Sequence, residues 1–153
     1  LIKSDLVRQV NKYWSFKWMQ QGTCRQSKDF FPEVDISRSF DIIGLSRKQW
    51  ARVIGLFTGH NGMGRHVFLC SDPDDLESTP PTCPNCEEDD ETSKHVMGYC
   101  PALHMLRREL FKESFIDPPF DDLRISKVLT FMTRSQIPAL QWKPPQQADT
   151  TTQ

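Results

Sequence analysis

The sequence has no excess of charge of either sign: 19 lysines and arginines face 20 aspartates and glutamates, for a net charge of −1. A strongly basic balance would argue for nucleic acid by itself, so any nucleic-acid role has to rest on local features. Long apolar runs are also missing. There is no N-terminal apolar segment of the signal-peptide type, and no stretch is long enough to cross a bilayer, so the chain reads as soluble, with no membrane partner. Apolar residues make up 37% of the chain and mean hydropathy is −0.55. Both are low for a self-sufficient globule, although four tryptophans and ten phenylalanines supply bulk for a modest core. No internal repeat is visible. The chain starts at Leu1 rather than at methionine and reads as part of a longer polypeptide, with room for one domain or one small domain plus tails.

What is present reads as mainly helical. Val7, Val10, Trp14 and Trp18 recur at spacings of three and four, predicting a helix over 5–21 with Ser4 or Asp5 at its start and Gly22 at its end. Residues 23–45 are mixed, and Phe30-Phe31-Pro32 reads as a loop or short strand. Ser46 is placed to cap a second helix bearing Trp50, Val53, Ile54 and Phe57, closed by Gly59. After a turn at Gly62 and Gly64, Val67, Phe68 and Leu69 read as a short third helix expected to be buried against the second. Aspartates and prolines from Ser71 onward predict an exposed, extended connection. The acidic run Glu87–Glu91 reads as a solvated loop. Residues 92–98 suit one or two helical turns. Leu103, Leu106 and Leu110 predict a helix from Pro101 to about Ser114, which Asp117-Pro118-Pro119 ends. Asp121 or Asp122 is expected to cap a last helix with Ile125, Val128, Leu129 and Met132. The tail, with Pro144-Pro145, glutamines and threonines, is expected to be disordered over 137–153.

Cys83, Cys86, His95 and Cys100 spell C-x2-C-x8-H-x4-C. Zinc takes four soft or borderline ligands in a tetrahedron; a C-x2-C turn converges two thiolates, and an H-x4-C pair closes the opposite side. Thr82-Cys83-Pro84-Asn85-Cys86 is rich in turn formers. Pro101 places Cys100 at a helix N-terminus, where the dipole favours thiolate. With no secretory signal, metal is a better reading of the cysteines than disulfides. A redox C-x2-C is the competing reading, but no strand-then-helix setting surrounds it. The x8 spacer is longer than in retroviral knuckles and lacks their glycine. Four filled positions predict one closed, structural Zn2+. Cys24 and Cys70 lie outside the pattern and are expected to be small buried or half-buried residues. His104, four residues past Cys100, is either a competing ligand or a residue on a helix surface.

The order of segments carries a resemblance. Thr58-Gly59-His60, Gly64-Arg65-His66, Cys83-Pro-Asn-Cys86-Glu-Glu, Ser93-Lys94-His95-Val96 and Tyr99-Cys100-Pro101 follow one another. Together they resemble, over roughly residues 1–132, the region after the ribonuclease H domain of non-LTR (LINE-type) retrotransposon pol proteins. Lys94 stands where that family often has glutamate, and the loop from Ser71 to Pro81 is long. The resemblance implies a helix leaving ribonuclease H over 1–22 and a connector with a helical hairpin over 23–70. It implies a zinc module with its following helix over 71–116 and a terminal helix over 117–136.

In that family the polymerase and ribonuclease H carboxylates lie upstream, so this chain is expected to have no catalytic residues and no small-molecule substrate, and to work inside the cell, in nucleus and cytoplasm. The acids here offer no convergent set for two-metal phosphoryl chemistry. Arg107, Arg108 and Lys112 on the Pro101 helix, with Arg65 and His66, are the candidate contacts to RNA or DNA phosphates. Two alternatives stand beside this: a zinc-stapled helical cap packing on the upstream ribonuclease H or polymerase domains, and a host protein derived from such an element.

Overall fold

A computed structural model describes residues 2–35, 37–72, 74, 80–120 and 123–140. Among the described residues seven α-helices run in order: α1 Ile2–Gln20, α2 Arg25–Phe30, α3 Ser37–Phe40, α4 Arg47–Thr58, α5 Gly64–Cys70, α6 His104–Phe111 and α7 Ile125–Arg134. A π-helical turn, His95–Tyr99, and two 3-10 turns, Pro101–Leu103 and Pro138–Leu140, complete the set. The chain is thus mainly helical, and among the described residues it has no strand, only an isolated antiparallel bridge between Thr82 and Asp90.

The best-defined boundary is that of α4. Ser46 Oγ accepts from the Gln49 amide while Gln49 Oε1 accepts from the Ser46 amide, a reciprocal capping box. At its other end Gly59 takes a left-handed conformation at φ 79°, returning its N–H to the Gly55 carbonyl. A Cβ there would also run into the Gln26 side chain.

The core is aromatic and draws on distant parts of the chain. The Phe30 ring lies 4.7 Å from Phe57 and 4.8 Å from Phe120, and Phe111 meets Phe131 at 5.8 Å. Helix α7 packs against both α4 and α6 and buries Ile125, Val128, Phe131 and Met132. The Phe120 amide donates to the Asp29 carbonyl at 2.6 Å, and Arg38 donates to the carbonyls of Phe30 and Leu123, so the α2 region is tied to the C-terminal third.

Several expectations are corrected. The 23–45 stretch, read as mixed with a loop or short strand at Phe30-Phe31-Pro32, forms helices α2 and α3 with a loop at Phe31-Pro32, and Phe30, the last residue of α2, is fully buried in the core. Helix α5 forms as expected, but Phe68 and Leu69 are exposed; a seven-residue helix has one inward face, and Gly64 at its start is the residue that is buried. The expected disorder does not begin at 137: Ile137 and Leu140 are buried, and the Leu140 carbonyl accepts from Arg52 Nε at 2.6 Å. Residues 141–153 lie outside the described residues, as do Asp121 and Asp122. Helix α7 starts after Arg124, whose side chain makes no cap.

A candidate metal centre

Cys83, Cys86, His95 and Cys100 converge. One ligand atom from each falls within 4.8 Å of every other, and they are the only such group of metal-binding side chains among the described residues. Cys83 Sγ and Cys100 Sγ are 3.9 Å apart, and Cys86 Sγ and His95 Nε2 are 3.3 Å apart. A tetrahedron with metal–sulfur bonds of about 2.3 Å and metal–nitrogen bonds of about 2.05 Å has edges of about 3.8 Å and 3.5 Å. The donor set and spacing therefore fit one metal ion. Cys83, His95 and Cys100 are buried and Cys86 is half-buried, so the centre is closed.

Local backbone geometry explains the convergence. The Cys83 amide donates to the Asp89 carbonyl, and Glu87, left-handed at φ 60°, returns its N–H to the Cys83 carbonyl, curling 83–89 into a knuckle. The second pair depends on the π-turn. In an α-helix, residues five apart point about 140° away from each other; a π-turn, closing from residue i to i+5, brings them back to nearly one side. Here the Cys100 amide donates to the His95 carbonyl at 2.7 Å, and the H-x4-C pair faces one point. Gly98 allows this turn to lie against the 114–117 segment: the Ile116 amide donates to the Gly98 carbonyl, and a Cβ on Gly98 would strike the Ile116 carbonyl oxygen.

Electrostatics in the protein alone oppose the metal-binding ionisation. Burial, then the neighbouring Cys83 thiol, push Cys100 up to about 12, against a favourable N–H from Ala102. The thiolate expected at a helix start is thus outweighed by desolvation. Burial holds His95 below its usual range, which favours the neutral imidazole that a metal takes. Filling this centre requires an ion that displaces the thiol protons. His95 Nδ1 is sealed from solvent and makes no hydrogen bond; its nearest carboxylate is Asp89, at 3.5 Å. A carboxylate behind a ligating imidazole is a recurring orienting partner.

The surroundings contain residues that spacing alone does not reveal. Arg107, expected on the surface, is 0% exposed. Its Nε donates to the Ser114 carbonyl at 2.7 Å, Nη1 to Val96 at 3.1 Å and Nη2 to the Cys100 carbonyl. It braces the metal loop from inside and is withdrawn from any nucleic-acid surface. One signal was available: Arg107 lies four residues after Leu103 and three before Leu110, on the apolar stripe of its own helix.

The acidic run is likewise only partly solvated. Glu87 and Glu88 are exposed, but Asp90 lies 3.4 Å from Arg65, and Glu91 is buried with its Oε2 accepting from the Gly64 amide at 2.6 Å. A carboxylate at the start of α5 meets its orphan N–H groups and the positive end of its dipole. Asn61 adds a second link, donating to the Gly55 carbonyl and to Ser93 Oγ.

Of the other basic candidates, Arg65 is held by Asp90, and His66 is half-buried with its ring 5.2 Å from His60 in an edge-to-face contact. Arg108 and Lys112 are exposed on and just after α6. Cys24 and Cys70 are exposed instead of buried or half-buried; each sits at the end of a short helix, outside the core. His104 is exposed, with Nδ1 against the Pro101 carbonyl, and is not a ligand. No helix of the described residues is long and apolar enough to cross a membrane. No family model matches the chain, and comparison with curated proteins and with solved structures finds no match.

Proposed function

We propose that this chain is a non-catalytic, zinc-stapled accessory module of a LINE-type retrotransposon pol polypeptide, in which one structural Zn2+ fixes the geometry of a small helical domain. The observation that carries it is the closed Cys83–Cys86–His95–Cys100 tetrad, in which the Cys83–Cys100 and Cys86–His95 pairs have the spacing of tetrahedral zinc ligands and four protein donors leave no position for a catalytic water. Three thiolates with one imidazole favour zinc over harder ions. The link to a retroelement rests on the order of segments from Thr58-Gly59-His60 to Cys100-Pro101.

Within this reading the module serves mainly as a packing platform. Leu6, Val10, Tyr13 and Trp14 of α1 are all exposed, which is unusual for so much apolar surface in a chain with so small a core. Contact with RNA or DNA is the second reading, and Arg108 and Lys112, exposed near the end of α6, support it.

The deciding experiment is metal analysis of the purified chain by native mass spectrometry, alone and as Cys86→Ala. One zinc per chain, lost in the variant, is expected. A chain that folds with no metal, or with unchanged metal in the variant, sinks the proposal.

A further inference from the structure

Helix α5 carries a second pair of soft donors, outside the tetrad. His66 and Cys70 are spaced H-x3-C, so about one helical turn separates them and both lie on one face. The Cys70 sulfur is 3.8 Å from His66 Nε2 and 4.0 Å from Nδ1. An ion that joins a thiolate at about 2.3 Å to an imidazole at about 2.05 Å holds those two atoms about 3.5 Å apart. A small side-chain rotation therefore turns this pair into a chelate. The same i, i+4 spacing places the two histidines of helix-borne zinc sites.

A third donor stands beside them. Gly59, left-handed at φ 79°, turns the chain out of α4, and the His60 ring that follows meets the His66 ring edge-to-face with centroids 5.2 Å apart. Both imidazoles line a cleft of about 180 Å³. Arg65 also borders this cleft, but Glu91 in the same wall and Asp90, 3.4 Å from the guanidinium, offset its charge. A cation is therefore not repelled. His60 is exposed, and its ring makes no hydrogen bond among the described residues, so it is free to turn.

We propose that His60, His66 and Cys70 form a second metal site, one that takes Zn2+ reversibly at the surface. A thiolate with two imidazoles is a donor set that suits zinc, whereas Mg2+ or Ca2+ would find too few oxygens. The three donors are not all within 4.8 Å of one another, as those of the tetrad are, so binding draws the exposed His60 ring onto the ion. Three protein donors leave the fourth position to water, which makes this an open site with an exchangeable ion, in contrast to the closed tetrad. Its loading neither needs nor replaces an ion in the tetrad.

Equilibrium dialysis of the full 153-residue chain against free Zn2+ tests this, with a phosphine reductant present to keep Cys70 a thiol. At about 0.1 mM free Zn2+, enough to fill most of a site with a Kd of about 10 μM, the chain is expected to take up one equivalent more than it carries as purified. Cys70→Ser and His66→Ala are expected to lose that added equivalent and no other, and His60→Ala to weaken it about tenfold or more. Cys24→Ser, which removes the other exposed cysteine, is expected to keep it. Cys70 and His60 are exposed and His66 is half-buried, so all four variants are expected to retain native circular dichroism. The absence of an added equivalent overturns the proposal. So does an added equivalent that persists unchanged in any of the three site variants, or one that is lost in Cys24→Ser.

Discussion

Removing the Arg107 guanidinium perturbs the metal centre while leaving every ligand in place. The side chain is fully buried, and its three nitrogens each donate to a main-chain carbonyl: Ser114, Val96 and Cys100. Hydrogen bonds from a charged donor contribute about 1.5–3 kcal/mol apiece, but they are not additive when one group makes all three. Truncation to alanine also takes the side-chain donor from the Ser114 and Val96 carbonyls, while the Cys100 carbonyl keeps the Leu103 amide, and it leaves a hole where a fully buried side chain stood. Together these place the loss at about 4 kcal/mol, in line with breaking a buried charged network. Small domains have about 5–15 kcal/mol in total, so Arg107→Ala is expected to lose a large fraction of its stability and to unfold at a much lower urea concentration. Arg107→Lys keeps the charge but can satisfy one or two carbonyls at most, and is expected to lose about 2 kcal/mol. The assay is urea unfolding followed by circular dichroism, paired with competition for zinc against a chelator of known affinity. Both readouts are expected to fall together, since the carbonyls Arg107 braces belong to Val96 and Cys100, inside the metal loop. If Arg107→Ala retained native stability and metal affinity and lost only nucleic-acid binding, with the salt slope lower by about one, the buried-brace argument would be refuted and Arg107 would be a phosphate contact.

Gly98→Ala is expected to destabilise the fold by about 2 kcal/mol, because the added Cβ meets the Ile116 carbonyl and the Phe120 ring at 3.3 Å; a melting temperature within one degree of the parent would contradict this. Burial raises the Glu91 carboxyl above its ordinary value, against a favourable N–H from Gly64. A raised folded-state pKa means that the cost of the charged form is fully present at neutral pH and is relieved as pH falls toward 4.5. Glu91→Gln is thus expected to match or exceed parent stability at neutral pH, with any advantage shrinking on acidification; an advantage that grows toward acid would reverse the assignment. If α6 contacts nucleic acid, Arg108→Ala with Lys112→Ala should lower the salt slope of binding by about two without changing stability. An unchanged slope leaves the packing role as the better reading.

The metal tetrad was readable in the sequence because its ligands are local, held in two short motifs whose spacing encodes the geometry. The start of α4 was readable for the same reason, since Ser46 and Gln49 satisfy each other within one turn. What escaped depends on distant partners. Phe30 is a core residue only because Phe57 and Phe120 arrive from elsewhere in the chain. Ile137 and Leu140 looked like the start of a polar, proline-bearing tail, and the carbonyl of Leu140 is anchored by an arginine 88 positions earlier. Helical periodicity found α1 but could not tell that its apolar stripe stays uncovered, because period reports amphipathicity and says nothing of what lies opposite. The π-turn was also out of reach: x4 spacing between histidine and cysteine is compatible with a loop, and the segment that packs on the turn, at Ile116, is distant in sequence.

The inward-facing Arg107 has a consequence for which ligands this centre can use. If a divalent ion is bound, its unit with three thiolates and a neutral imidazole has charge −1, which the guanidinium at the Cys100 carbonyl would balance. Replacing one cysteine by histidine would preserve tetrahedral coordination yet leave the arginine without its counter-charge in a site sealed from water. The choice of three sulfurs would then be coupled to a residue outside the ligand set, and the two would have to change together.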